Sequence, residues 1–296
     1  MPKFHRVPAA IVISCAVTLA ACAASDSTTQ RDPSLAESTA VPVSAYDQVR
    51  PEITEYMAQP AVLVFSKTRA WRHNEGIAAA DRFFADLTLS RGMGLFTTVN
   101  GAVFNADDLA RFDVVVFNNM SGDTLSKEQQ EAFETWLKAG GALIALHASG
   151  DNSHTAWAWY DRKVIGPEFT SHPMAPQFQK ADLVTLASSH PIMDGIPARF
   201  SLSDEWYSFD STPQDFGLTP LMGLDETTYS PENTVYGPRD LRMGSEPIDH
   251  PIIWTGEIGE GRIFYSAVGH NPGPYDNAVY ARLLTQAFDW VYDAGG

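Results

Sequence analysis

One stretch constrains this chain more than any other: Gly140-Gly-Ala-Leu-Ile-Ala-Leu-His-Ala-Ser-Gly-Asp151. Two glycines suited to the left-handed turn that ends a helix precede a short apolar run, Ala142 to Leu146. A run of that length, apolar on both faces, reads as a central strand covered on both sides. In open α/β sheets, ligands sit in the crevice beyond the carboxyl ends of such strands. His147, Ser149 and Asp151 fall at that position, so the same twelve residues predict an architecture and a place for chemistry.

The flanking sequence repeats the pattern. Ala61-Val-Leu-Val-Phe65, residues 95–99 and Asp113-Val-Val-Val-Phe117 read as further strands. Between them lie a helix opened by Asn74 as N-cap, with Ile77, Ala80, Phe83, Phe84 and Leu87 on its apolar face, and a short helix after Asn105. A third helix starts at the capping box Ser126-Lys-Glu-Gln129. Strands alternating with helices of this length imply βαβ units and a doubly wound, mostly parallel sheet. After Asp151 the pattern loosens. Residues 152–180 predict an aromatic, proline-rich lid. Strands are expected at 181–187 and 218–224, an extended stretch at 200–209, a long loop at 225–249, a hairpin at 251–268 and a closing helix at 277–293.

The amino terminus predicts export. Lys3, His5 and Arg6 precede an apolar run, residues 9–20, too short for an ordinary membrane span. Leu19-Ala20-Ala21-Cys22 resembles a bacterial lipobox, which implies cleavage before Cys22 and lipidation there. The expected organisation is a leader at 1–21, a tether at 22–58 with a short helix over 45–57, and a domain at 59–296. The expected location is the membrane, on the periplasmic or outer-membrane side. Cys15 would leave with the leader, so disulfides, cysteine metal sites and a cysteine nucleophile are excluded. With 296 residues, 44% of them hydrophobic, the chain has enough material for a large core. Loss of Lys3 and Arg6 leaves 18 basic against 36 acidic residues. Such an excess excludes nucleic acid as a partner and suits a neutral ligand. No phosphate-cradling glycine loop follows the first strand, which excludes a nucleotide cofactor.

Read in order, His147 after its strand, the Tyr160…Gly166…Phe169…His172-Pro173 run, Asp204-Glu205-Trp206-Tyr207, His250-Pro251-Ile-Ile-Trp254, Gly261-Arg262 and Gly269-His270 resemble the ThuA (trehalose utilisation) family. The resemblance covers roughly residues 61–292. It implies a fold similar to class I glutamine amidotransferases, that is, a flavodoxin-like sheet with a β extension in the C-terminal half. It also implies catabolism of disaccharides or their keto derivatives. Amidotransferase chemistry itself does not carry over. The turn after the focal strand has His147 where that chemistry needs cysteine, and Pro272 stands where the orienting glutamate would be.

Seven histidines remain beyond the leader. His73, His147 and His270 follow predicted strands and could converge on one crevice; His147 and His270 are the expected proton carriers. Glu205 with Tyr207 is the expected inward pair of its strand, while Asp204 would face solvent. A carboxylate against aromatics would have a raised pKa. His73, Trp71, Asp151, Tyr160, His172, Tyr207 and His250 are expected to bind substrate, the aromatics by stacking on a sugar ring. Residue His190 before proline reads as structural and His154 as exposed. A divalent ion such as zinc would be held by His147 and His270, although no short histidine spacing marks one. Three readings follow: an acid–base enzyme (hydrolase, lyase or isomerase) acting on a small carbohydrate, a non-catalytic carbohydrate-binding lipoprotein, and a metal-dependent hydrolase of another substrate.

Overall fold

Five short apolar strands form the parallel half of the sheet. They are β1 (Ala61–Phe65), β2 (Gly94–Thr98), β3 (Val114–Asn118), β4 (Ala142–Leu146) and, much later in the chain, β11 (Gly261–Ser266). All side chains of β1, β3 and β4 are buried, as a strand covered on both faces requires. The computed structural model describes residues 45–293. Helices α1 (Asn74–Arg91), α2 (Ala106–Leu109) and α3 (Lys127–Lys138) connect the first four strands. Helix α1 begins one residue earlier than the sequence suggests, with His73 rather than Asn74 at the cap. The capping box at Ser126 and Gln129 forms as expected, and Gly140 takes the positive φ (110°) that turns the chain into β4.

The one-turn helix α4 (Ala158–Tyr160), β5 (Phe169–Ser171), β6 (Phe178–Thr185), β7 (Arg199–Glu205), β8 (Ser208–Phe209), β9 (Thr219–Asp225) and β10 (Pro251–Ile258) follow. The chain ends in α5 (Gly273–Asp276) and α6 (Ala278–Tyr292). Among the described residues the large sheet has nine strands in the order β2-β1-β3-β4-β11-β10-β9-β6-β7, and β5 pairs with β8 separately. Strands β2, β1, β3, β4 and β11 run parallel. From β11 outward every pairing is antiparallel, through the expected hairpin β10–β11. The parallel part has the flavodoxin-like order, with the carboxyl ends of β1, β4 and β11 on one edge.

The expected leader, Cys22 and the first part of the tether lie outside the described residues. Residues 45–58 carry neither the short helix nor the free tether expected of them. They pack irregularly against the domain: Asp47 bonds Lys67 and accepts from the Gly101 amide at 2.7 Å, and Gln129 donates to the Asp47 carbonyl at 2.8 Å. Asn100 and Arg111 donate to the carbonyls of Val49 and Ile53. These backbone partners tie down a stretch whose polar composition suggests freedom. Among the described residues, no helix is long and apolar enough to cross a membrane.

Candidate active site

His147 follows β4 directly and holds φ at 45°, a left-handed conformation unusual for a side chain with a Cβ. The turn is fixed from below. Tyr265 donates to the His147 carbonyl at 2.9 Å, and Ser149 Oγ donates to the Phe117 carbonyl at 2.8 Å while accepting the Met120 amide. Ser149, expected in the crevice, thus ties β4 to β3. The result is an imidazole thrust over the end of the sheet from a strained, well-buttressed turn.

Three other elements deliver their side chains to the same point. His73 comes from the loop after β1 at the start of α1, and His270 from the turn after β11. Gly76 lets those two segments touch, because a Cβ there would overlap the carbonyl oxygens of Gly269 and His270. The ring centroids of His73 and His270 are 4.0 Å apart, and those of His73 and His147 are 4.8 Å apart. Glu205, the last residue of β7, arrives from the far end of the antiparallel extension. That extension curls back, and Asp204 anchors it by accepting the Gly269 amide at 2.6 Å and Asn271 Nδ2 at 2.8 Å.

The hydrogen bonds assign a role to each atom. His147 Nδ1 donates to the Ala267 carbonyl at 2.7 Å, which turns Nε2 toward the cluster. That Nε2 lies 3.1 Å from the Tyr207 hydroxyl, 3.2 Å from His270 Nδ1 and 3.4 Å from Glu205 Oε2. Glu205 Oε2 is also 3.1 Å from His270 Nδ1. Its other oxygen is already occupied: Oε1 accepts from Gln177 at 2.5 Å and sits 3.1 Å from His172 Nδ1. The buried Nε2 of His73 has no partner. Tyr236 donates its hydroxyl to His172 Nε2 at 2.6 Å.

Charge follows from this arrangement. Burial disfavours the charge on Glu205, but its bonds to His147 and His270 outweigh burial and hold its pKa well below the usual range. The raised pKa expected for Glu205 belongs instead to Asp204, which burial pushes up to about 6 against the opposing charge of His147. Asp204 is fully buried rather than solvated, because the Gly269 amide and Asn271 Nδ2 draw its carboxylate against the turn after β11. Burial opposes the charged form of His147 as well, and the Glu205 carboxylate overrides it, so that pKa is raised. His73, buried and facing two other imidazoles, is lowered to about 3.

His73, His147, His270, Glu205, Tyr207 and His172 are therefore brought together. The other expected binding residues are not. Asp151 accepts the Ser153 amide at 3.0 Å and braces its own loop. Tyr160 is fully buried, donates to the Ser149 carbonyl at 2.7 Å and stacks on Trp157. His250 is fully buried behind the site, between Glu226 Oε1 at 2.6 Å and the Tyr207 carbonyl at 2.8 Å. Trp71 is 62% exposed on the loop before His73, whereas Trp157, Trp206 and Trp254 are core. His154, expected in solvent, is buried beside Asp161. His190 caps a turn as anticipated. Gln177, Tyr236 and Phe178, whose ring meets His270 edge-on at 4.9 Å, escaped the sequence reading; they lie in or beside irregular loops with no periodicity to mark them.

Similar proteins agree with this architecture. The structure of a ThuA-like protein from Bacteroides uniformis superposes with a TM-score of 0.67 at 23% identity, over 82% of this chain and 95% of that one. A ThuA-like protein from Parabacteroides merdae gives 0.58 at 16% identity, over 78% and 89%. No curated protein sequence matches this chain. The family model described as ThuA, trehalose utilisation, matches residues 61–291, nearly all of the described domain. The chain belongs to the ThuA family.

Proposed function

We propose that the protein is a carbohydrate-processing enzyme that works by proton transfer at the His147–His270–Glu205 cluster, on a disaccharide or a keto-glycoside. One observation carries the reading. A carboxylate that is 1% exposed shares its free oxygen with two imidazoles at 3.1 and 3.4 Å, at the carboxyl edge of a parallel sheet. A fold does not need three ionisable groups converging there, because desolvating them costs more than apolar packing would. The side chains of His270 and His172 are 17% and 15% exposed, so the cluster reaches solvent on that side.

In this reading His147 gives a proton through Nε2 and takes it back, because Ala267 holds the ring with Nδ1–H turned away. His270 exchanges protons with substrate at the mouth, and Glu205 stabilises whichever imidazole carries the charge. Tyr207 supplies a hydroxyl beside His147 Nε2 for an oxygen of the sugar. The family's association with trehalose utilisation supports the substrate class.

The test is a panel of disaccharides and their 3-keto forms, read by thermal unfolding and by product analysis. A sugar present at ~100 times its dissociation constant stabilises the folded state by about 2.7 kcal/mol. Turnover of one sugar class by the wild type, lost in Glu205→Gln, is the expected result. Turnover unchanged in Glu205→Gln would remove this site from the reaction. Export belongs to the same proposal: Cys22 carries a lipid anchor, and Cys22→Ala is expected to release the protein from membranes into the soluble fraction.

A further inference from the structure

We infer that His73, His147 and His270 seat one divalent transition-metal ion, with Glu205 Oε2 at the fourth vertex of its coordination shell. The inference rests on the cluster being the reactive centre, and it adds a cofactor to that centre. One ring nitrogen from each histidine lies within 4.8 Å of the others. Zinc bound at about 2.0–2.1 Å in a tetrahedral shell spaces its ligands roughly 3.3 Å apart. His147 Nε2 and His270 Nδ1 are 3.2 Å apart, and Glu205 Oε2 lies 3.1 and 3.4 Å from them. One triangular face of a tetrahedron is thus already in place. The fourth ligand, His73, has a buried Nε2 with no partner, so moving it inward breaks no bond at that atom.

The surroundings match those of metal-binding imidazoles. His147 is oriented by an Nδ1–H bond to a backbone carbonyl, which leaves Nε2 as the ligand atom. Glu205 is oriented by Gln177 and His172 on Oε1, which leaves Oε2 aimed at the three rings. Converging lone pairs on a carboxylate and three imidazoles repel one another unless protons or a cation lie between them. A proton can bridge one pair; an ion answers all four atoms at once. Imidazole donors suit zinc and its first-row neighbours. With the ion bound, His147 Nε2, His270 Nδ1 and Glu205 Oε2 act as ligands rather than as proton carriers.

The experiment uses the full-length protein stripped with a chelator and titrated with cobalt(II), then zinc. The expected result is one cobalt per chain with the visible spectrum of a four-coordinate site, displaced by one zinc. His73→Ala is expected to weaken binding at least about 100-fold without changing the melting temperature. His190→Ala, which alters only a turn cap, binds as the wild type does. No uptake at about 100 µM metal, or equal uptake by His73→Ala, overturns the inference. Sugar turnover that survives chelation but is lost in Glu205→Gln overturns the metal and leaves the carbohydrate reading standing. Stoichiometric metal with no turnover of any sugar does the reverse.

Discussion

His147 and His250 are both fully buried, and each has a carboxylate within reach, yet they do different things. Each ring nitrogen of His250 faces one close acceptor, Glu226 at 2.6 Å and the Tyr207 carbonyl at 2.8 Å. Its hydrogen-bonding capacity is used up, and the ring holds the backbone that carries Tyr207. His147 uses one nitrogen the same way, on Ala267, and leaves the other facing three groups at 3.1 to 3.4 Å. Burial and a nearby carboxylate therefore do not separate a working histidine from a structural one. The separation lies in whether a nitrogen is left over, pointing where other left-over atoms point.

Substituting the two residues tests that difference, with the larger effect at His147. His147→Ala is expected to lower kcat/KM on the identified sugar by about 10²–10⁴-fold, the usual scale for a lost acid or base. Its loss of stability is the smaller effect: the Ala267 carbonyl gives up its buried partner, but Glu205 keeps His270, His172 and Gln177. His250→Ala should do the opposite. It leaves the Tyr207 carbonyl without its partner in the interior, while Glu226 Oε1 keeps the Met243 amide, and costs about 2 kcal/mol of stability. Its turnover per folded molecule is expected to fall about tenfold or less, through looser placement of Tyr207. Urea unfolding with parallel kinetics on both variants separates the cases. A His250→Ala protein that unfolds like the wild type yet loses all turnover would erase the distinction.

The same contrast explains what the sequence could reveal. Strands β1, β3 and β4 were legible because an unbroken apolar run of four or five residues between helices has little alternative to a central strand. The convergence of His73, His147 and His270 was legible for a related reason, since a parallel sheet puts every strand's carboxyl end on one edge. Glu205 was harder, because β7 lies four strands beyond β11 and only the curl of the extension returns it to the site. Strand alternation predicts it beside Tyr207, but β7 ends at Glu205 and Tyr207 lies beyond the strand, and the burial of Asp204 depends on the Gly269 amide, a contact 65 residues away in sequence. The aromatics misled. Trp157, Tyr160, Trp206 and Trp254 sit in loop-like or extended sequence yet pack in the core, and nothing local distinguishes them from exposed Trp71.

His154 is the third buried histidine, and it extends the comparison to pH with a smaller effect. Its Nδ1 stands 3.4 Å from Asp161 Oδ1, an ion-pair distance, and its Nε2 is 3.2 Å from the Met120 carbonyl. Burial opposes its charge, but Asp161 and then Asp151 prevail, so its pKa is raised above the ordinary 6.5. A histidine with a raised folded-state pKa binds more protons when folded than unfolded. Its contribution is therefore full below about pH 6.5 and is lost as pH rises through the folded-state value. Asp161→Asn removes the main source of that shift. We expect it to cost about 1–2 kcal/mol at pH 5.5–6, discounted for the partial exposure of Asp161. The gap to the wild type should close on the alkaline side of the folded-state pKa, as read by urea unfolding from pH 5.5 to 9.5. A cost independent of pH would mean that Asp161 acts through packing and hydrogen bonds alone. His154 would then belong with His250 as a hydrogen-bonding strut that holds the backbone its ring reaches.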